Sequence, residues 1–445
     1  MNKPFRRKIY DELLAWKNEK PKNSALLIEG GRRVGKTTIV KEFAKNEYKD
    51  YIYVDFSKED DEMKNLFKKI KNLDDFFANF FILCKKDLIR GNLIIFDEIQ
   101  FCPLARQAIK TFVEDGRYEY IETGSLLSIR DNTSNILIPS EERRLEMYPL
   151  DYEEFLWAFG EDKYASLLRD IYDNKKKIDN DSHKSMLSSF RKYMAIGGMP
   201  KVISIYQNTL SYKKVEQEKR DIIELYKEDL LKHDRKYHTL TRVLYDSMIP
   251  QLMSKNSSRY KLESTTNKRY RNIQDSVFDL ADSKIVNIVN LISDPSPGLE
   301  LSRVDSMFKI YPNDIGLFVS SIFKTNNKNI DDIYRGIIFN KIGANFGMIF
   351  EAYVAQALLC LSYHPYYHTY TLNGKRYEID FIVQDRKHTT AIEVKSGEKF
   401  SIKSLEALSN KYKQTKFNKI VVCNKPICAK DNILYLPIYM LFCLR

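Results

Sequence analysis

The chain of 445 residues contains no run of about 18 consecutive apolar residues, so no membrane-spanning helix is expected. Its basic start, MNKPFRRKIYDELL, is not followed by an apolar stretch, so no secretory signal is expected either. The six cysteines (Cys84, Cys102, Cys360, Cys423, Cys428 and Cys443) form no C-x-x-C pair, and no histidine pair stands at zinc spacing. That excludes a disulfide framework or a cysteine-rich zinc module as the organising principle. Buried free thiols are expected, with a bridge or metal at Cys423/Cys428 as the alternative, and reduced thiols point to the cytoplasm. Neither an internal repeat nor a low-complexity tract beyond short lysine runs is present, which excludes a solenoid.

What is present is a globular composition, 43% hydrophobic and 30% charged, long enough for roughly two to four domains. The net charge of +12 favours a polyanionic partner such as nucleic acid, although lysine-rich composition alone gives the same excess.

Four stretches are distinguishable. After an amphipathic helix in residues 1–20, residues 24–130 alternate strand and helix, with strands expected at 24–29, 50–56, 93–96 and 118–123 and a helix at 37–45. Such alternation implies a parallel α/β sheet. Residues 131–142 read as a polar loop. From about 150 to 235 apolar residues recur at helical spacing, interrupted by the turn Gly197-Gly198-Met199-Pro200. In 236–325 two helices (239–253 and 272–281) precede two strands (285–292 and 306–311) flanking SDPSPG, a pattern suggesting a winged helix. Residues 326–345 read as a linker, and the last hundred residues return to mixed α/β.

Gly30-Gly31-Arg32-Arg33-Val34-Gly35-Lys36-Thr37 fits G-x-x-x-x-G-K-[ST] between an apolar strand and a helix, the context this phosphate-binding motif requires. Glycines let backbone N–H groups wrap phosphates, and the helix N-terminus adds its dipole. Lys36 is expected against the β- and γ-phosphates, and Thr37 on Mg²⁺. Arg32, Arg33, Val34 and Thr38 complete the expected ATP-binding segment. The buried strand Leu93-Ile94-Ile95-Phe96 ends in Asp97-Glu98. Asp97 is expected to hold Mg²⁺ and Glu98 to polarise the attacking water. Two acids there favour hydrolysis over binding alone. Thr123-Gly124-Ser125 ends the next strand, and Thr123 and Ser125 are both candidates for sensing the γ-phosphate; a strand-to-turn cap is the plainer reading. Arg143 and Arg144 are either phosphate ligands, in cis or in trans, or a solvated basic pair.

These segments, together with LIIFDEIQ, ETGS and RRLEMYPLDYEEFL, resemble the bacterial and archaeal AAA+-type ATPases of the family with a restriction-endonuclease-like C-terminal domain. GGMPKVI (197–203) is similar to that family's turn in the helical lid, and IYPNDIGLF (310–318) to its stretch after the winged helix. The loop before Arg143 is longer than the family pattern. The resemblance implies a multidomain α/β architecture: a P-loop NTPase domain at 1–145, a helical lid at 146–235, a winged helix at 236–325 and a PD-(D/E)xK nuclease-like domain at 326–445.

In the last of these, GMIFE (347–351) opens an amphipathic helix carrying Phe350, Val354, Ala357, Leu358 and Leu361 on one face. RYEIDFIV (376–383) and TAIEVKS (390–396) follow as strands. Glu393 and Lys395 share a face, and a hairpin brings Asp380 beside them. In a PD-(D/E)xK site Asp380 and Glu393 would bind a divalent metal, Lys395 would orient or activate water, and Glu351 would complete the shell. The alternative is a fold that binds DNA or a protein without cutting.

Lys255, Arg259, Lys261, Lys268, Arg269 and Arg271, with Tyr260 and Tyr270 interleaved, form a candidate phosphate-tracking surface or a solvated loop. His364 and His368 are separated by Pro365, which breaks the helix that would pair them on a metal. The expected function is a Mg²⁺-dependent ATPase that couples its nucleotide cycle to DNA engagement by the C-terminal half. The alternatives are a regulatory or scaffolding ATPase switch that binds a protein partner, and a transcription regulator that uses the winged helix.

Overall fold

The structure, a computed structural model, describes residues 4–68, 70–124, 137–233, 240–253, 274–323, 330–339, 346–386 and 388–444. It divides into two compact units, Met1–Tyr148 with Asp282–Lys284, and Pro149–Ala281 with Ile285–Arg445.

The first unit is built on a parallel sheet of β1 (Ala25–Glu29), β2 (Tyr51–Asp55), β3 (Leu93–Asp97), β4 (Glu119–Gly124) and β5 (Glu142–Glu146), in the order β2-β3-β4-β1-β5. Every residue of β1 and β3 is buried, as continuous apolar runs require when helices cover both faces. Period-2 alternation splits the strand residues between two cores. Leu26, Ile28 and Ile95 pack with Leu13, Trp16, Ile39, Val40 and Phe43 of the helices Ile9–Asn18 and Lys36–Glu47. Leu27, Ile94, Phe96 and Tyr120 pack with Phe76, Phe80, Ile109 and Phe112 of the helices Leu73–Cys84 and Pro103–Asp115. The carboxyl ends of β1, β3 and β4 therefore lie side by side, where open α/β sheets place their ligands.

The polar loop was expected to run to residue 142, and no strand was expected at β5. Its sequence ERRLE is polar and little of it is buried, because it forms the sheet edge; its pairing with β1, not apolarity, makes it a strand.

The second unit contains the helices Tyr152–Ala158, Asp162–Asp173, Asn180–Ile196, Pro200–Thr209 and Tyr212–His233, in the stretch expected to be helical. Its sheet has eight strands: β6 (Val286–Ile292), β7 (Arg303–Pro312), β8 (Tyr366–Leu372), β9 (Lys375–Asp385), β10 (His388–Lys395), β11 (Phe417–Cys423), β12 (Cys428–Lys430) and β13 (Ile433–Pro437). The order is β12-β13-β11-β10-β9-β8-β6-β7. Asn373 and Gly374, at φ 51° and 74°, make the tight β8–β9 turn. The hairpin β6–β7 was expected in a separate winged helix. It forms instead the edge of the sheet carrying the C-terminal strands, because β6 pairs in parallel with β8 through Asn290, Leu291 and Ile292.

Two glycine turns meet inside this unit. Gly198 N donates to Asp314 Oδ2 at 2.6 Å, and Leu317 N donates to Asp314 Oδ1 at 2.9 Å. A Cβ on Gly198 would lie 2.1 Å from Leu150 O, so the backbones approach too closely for any side chain. Fully buried Lys219 donates to Ala195 O at 2.8 Å and Gly316 O at 3.1 Å. GGMP and NDIG, distant in sequence, thus form one joint. No helix among the described residues is long and apolar enough to cross a membrane.

Candidate functional site: a nucleotide site and a carboxylate cluster

The first site is built on three strand ends. The loop after β1 is shaped by Arg33 at φ 71° and Gly35 at φ 103°, the second a left-handed position that suits glycine just before the helix Lys36–Glu47. At Gly30 a Cβ would meet Met147 O at 2.2 Å, so the chain leaving β5 presses on the loop. Lys36 is buried and donates to Gly30 O at 2.8 Å and Gly31 O at 3.1 Å. Burial pushes its pKa down to about 8, while Glu98 and Asp97 pull it back up. Val34 is buried, and Arg32, Arg33 and Thr38 are exposed.

Asp97 is the centre of the arrangement. Its carboxylate accepts from Thr37 Oγ1 at 3.0 and 3.1 Å and also from the hydroxyls of Tyr53 and Thr123. β3 delivers the acid, β4 the Thr123 hydroxyl, β2 the Tyr53 phenol and the helix Lys36–Glu47 the Thr37 hydroxyl. Glu98 follows at φ 55°, a left-handed conformation costing a non-glycine residue roughly 1 kcal/mol, and its carboxylate accepts from the Gln100 amide.

Arg143 and Arg144 lie on β5. Arg143 forks onto Glu19, with Nη2 3.0 Å from Oε2, and Arg144 stands 3.3 Å from Glu142 and 3.5 Å from Glu29. Acids of the same unit engage both guanidinia. Ser125 and the basic patch of Lys255, Arg259, Lys261, Lys268, Arg269 and Arg271 lie outside the described residues.

Sequence patterns did not reveal three residues near this site. Tyr53 reaches Asp97 only because β2 and β3 pair Tyr53 with Ile95. Arg7 donates to Val34 O at 3.0 Å and Tyr148 O at 2.6 Å, clasping the phosphate loop from a segment read only as an amphipathic helix. Arg106 makes a buried bidentate pair with Glu142, both contacts 2.7 Å, beneath β5. Arg106, a basic residue on the buried face of an amphipathic helix, was the one with an available signal.

The second cluster lies in the other unit. β9 and β10 form the expected hairpin, with Phe381 opposite Ile392, which sets Asp380 next to Glu393. Val394 N donates to Asp380 Oδ2 at 2.8 Å, and Lys395 donates to Glu393 Oε2. Glu393 Oε1 is buried and has no hydrogen-bond partner among the described residues. Burial, reinforced by Glu393 and Glu351, pushes the Asp380 carboxyl well above its usual range. For Lys395 burial works downward, but Asp380 and Glu393 outweigh it and hold the ammonium above its ordinary value. Glu351 sits on the helix Phe346–Cys360, held by Lys309 at 2.8 Å and by the Tyr311 hydroxyl. Asp380 and Glu393 fit a divalent cation in donor type and charge. Among the described residues no group of three or more His, Cys, Asp or Glu that could hold a metal ion is found; Glu351, expected to complete the shell, is engaged by Lys309 and Tyr311. His368 is a core residue, its ring nitrogens 2.7 Å from Ile292 O and 2.9 Å from the Tyr412 hydroxyl, while His364 is exposed.

Residues 22–156 match the family described as AAA domain. The first unit carries an AAA-type ATPase domain. Residues 187–328 and 346–441 match two families described as domains of unknown function, DUF8612 and DUF4143. No curated protein matches the chain. Among solved structures, the Walker-type ATPase PABY2304 of Pyrococcus abyssi is 14% identical, with 72% of this chain and 96% of that chain covered and a TM-score of 0.43. Cdc6p from Pyrobaculum aerophilum is 9% identical over 76% and 96% of the two chains, with a TM-score of 0.26. A chain of Drosophila ORC bound to DNA is 10% identical over 75% and 94%, with a TM-score of 0.24.

Proposed function

We propose that the chain is a Mg²⁺-dependent ATP hydrolase whose nucleotide cycle controls DNA engagement by its C-terminal half. The observation that carries the ATPase reading is the meeting of Thr37, Tyr53 and Thr123 on Asp97, beside buried Lys36. Gly30, Gly31 and Gly35 leave room for phosphates at the loop, with Val34 and Thr38 flanking it. Lys36 exchanges its loop carbonyls for the β- and γ-phosphates. Thr37 and Asp97 would hold Mg²⁺, for which hard oxygen donors and a carboxylate charge are the right set; the ion supplies neutralisation of phosphate charge. Glu98 takes the proton of the water that attacks the γ-phosphorus. The bond from that phosphorus to the β–γ bridging oxygen breaks, and ADP and phosphate leave. Thr123 orients the γ-phosphate, with Ser125 as the second candidate, and Arg32, Arg33 and Arg144 are available for phosphate contacts.

Lys36→Ala tests this directly. Phosphate release from Mg-ATP is expected to fall to background, and turnover at the wild-type rate in that variant removes the assignment.

For the C-terminal half, the run of helix, three-stranded meander, helix and parallel return strand supports a PD-(D/E)xK-like reading, with Asp380, Glu393 and Lys395 as its core. Plasmid incubated with Mg²⁺ or Mn²⁺ and with Asp380→Ala or Lys395→Ala protein decides whether it cuts. Nicking indifferent to both changes rules out this site. The engagement of Glu351 by Lys309 and Tyr311 favours a second reading, a non-cleaving domain on a regulatory ATPase that binds a protein partner. That reading predicts ATP turnover with neither metal-dependent nicking nor salt-sensitive DNA binding.

A further inference from the structure

Lys309 stands outside the expected motif, on β7, yet it belongs physically to the carboxylate cluster. β6 pairs with β8 over only three residues, next to an irregularity in its pairing with β7 at Asn290/Leu291. The far end of the hairpin is thereby free to pack over the strands that follow, and the Tyr311 ring lies 6.0 Å from that of Phe381. Lys309 is only 7% exposed. Its ammonium lies 2.8 Å from Glu351 Oε1 and 2.8 Å from Glu378 Oε1, and 5.1 Å from the centre of the Tyr367 ring. Tyr311, two residues along the same face, donates to the same Glu351 oxygen.

We propose that Lys309 is the resident cation of this cluster and competes with a divalent metal for Glu351 and Glu378; the inference rests on reading the cluster as a phosphodiester site. Four carboxylates, Glu351, Glu378, Asp380 and Glu393, face two lysines, Lys309 and Lys395. Each lysine is already committed to a carboxylate. A compact ammonium shared by two carboxylates supplies the charge balance that a bound dication supplies by ligation. A metal that recruits Glu351 has to displace it. Lys309 thereby restricts metal to Asp380 and Glu393, where Glu393 Oε1 remains without a partner, and sets how tightly the site binds one.

The test is Mn²⁺ titration of the full chain by calorimetry without nucleotide, with melting temperature as a second readout. Lys309→Met is expected to bind Mn²⁺ at least about tenfold more tightly than wild type and to gain a Mn²⁺-dependent rise in melting temperature. Lys309→Arg is expected to behave as wild type, and Lys309→Met/Glu351→Gln to lose the gain. Lys309→Gln repeats the test if the methionine variant does not fold. Asp380→Asn separates the two ideas. Mn²⁺ binding that needs Asp380 but is equal or weaker in Lys309→Met overturns the role of Lys309 and leaves the site standing. Binding that ignores Asp380, or is absent from every variant, overturns both.

Discussion

Thr37 Oγ1 lies 3.0 Å from Asp97 Oδ2, although 60 residues separate them. The contact joins the first turn of the phosphate-loop helix to the end of the third strand, the two elements a metal-bound triphosphate would touch. Asp97→Asn keeps the shape but removes the charge and turns one of the two acceptor oxygens into a donor. ATP hydrolysis is expected to fall by roughly 100-fold or more, as when a transition-state electrostatic group is removed. ADP affinity measured without Mg²⁺ should change only a few-fold. A wild-type rate of phosphate release would show that Asp97 is structural.

Glu98→Gln is expected to separate binding from chemistry. The strained backbone of Glu98 aims the side chain beyond the strand end, and the Gln100 amide holds it. Glu98→Gln should retain ATP binding while hydrolysis falls on the order of 10²–10⁴-fold, the usual worth of a positioned base. Filter-trapped, unhydrolysed ATP is the expected signature. If nucleotide binding and hydrolysis fell in parallel, Glu98 would be a binding group.

Lys36 is expected to make nucleotide binding pH-dependent. Burial lowers it to about 8 in the folded chain, against about 10.4 for a free lysine. Between these values the unfolded chain keeps a proton that the folded chain sheds, so this group's contribution to stability rises with pH across that window. Phosphate charge favours the ammonium and lifts its pKa again. ADP binding between pH 8 and 9 should therefore take up protons, seen as a calorimetric heat that depends on buffer ionisation enthalpy. Heats independent of the buffer would contradict this.

The sequence exposed those parts of the molecule whose signal is local. The phosphate loop is one contiguous motif flanked by an apolar strand and a helix. Asp97-Glu98 ends a five-residue buried strand, and Glu393 and Lys395 are two residues apart on one strand. Tyr53, Arg7, Lys309 and Tyr311 carry no local mark; strand pairing or a folded-over hairpin brings them to their sites. β5 was missed for a different reason, since ERRLE has the composition of a loop and gains its strand character from pairing with β1. The β6–β7 hairpin was legible as two strands, but which sheet they join depends on three residues facing β8, and no pattern within the hairpin specifies that.

Arg106 and Glu142 have side chains only 2% and 1% exposed. Arg106→Met leaves the Glu142 charge buried beside Glu122, whose own carboxyl burial already drives well above its usual range. Loss of one partner of such a pair costs about 3–5 kcal/mol. Arg106→Met/Glu142→Gln should recover part of that loss because no charge is stranded. Urea denaturation of the three variants checks the order, and equal loss in the single and double variants would show that packing, not charge, is what Arg106 provides.

Gly198 and Asp314 join the two glycine turns of the second unit, and the cost of disturbing them follows from geometry. A Cβ at Gly198 would lie 2.1 Å from Leu150 O and 2.9 Å from Leu150 N, both backbone atoms that cannot swing aside. Gly198→Ala should therefore destabilise the unit by about 1–3 kcal/mol or more, the cost of forced overpacking. Gly374→Ala is the control: its φ of +74° strains alanine, a strain Gly198 does not carry, but nothing lies within 4 Å. It should cost only about 1 kcal/mol. Asp314→Asn turns one of the two acceptors serving Gly198 N and Leu317 N into a donor, and a buried N–H without its acceptor costs about 1–3 kcal/mol. Thermal melts should thus rank Gly374→Ala above Gly198→Ala, with Asp314→Asn also below wild type. If Gly198→Ala melts with Gly374→Ala, the close approach of Gly198 to the Leu150 backbone is not what holds the joint together.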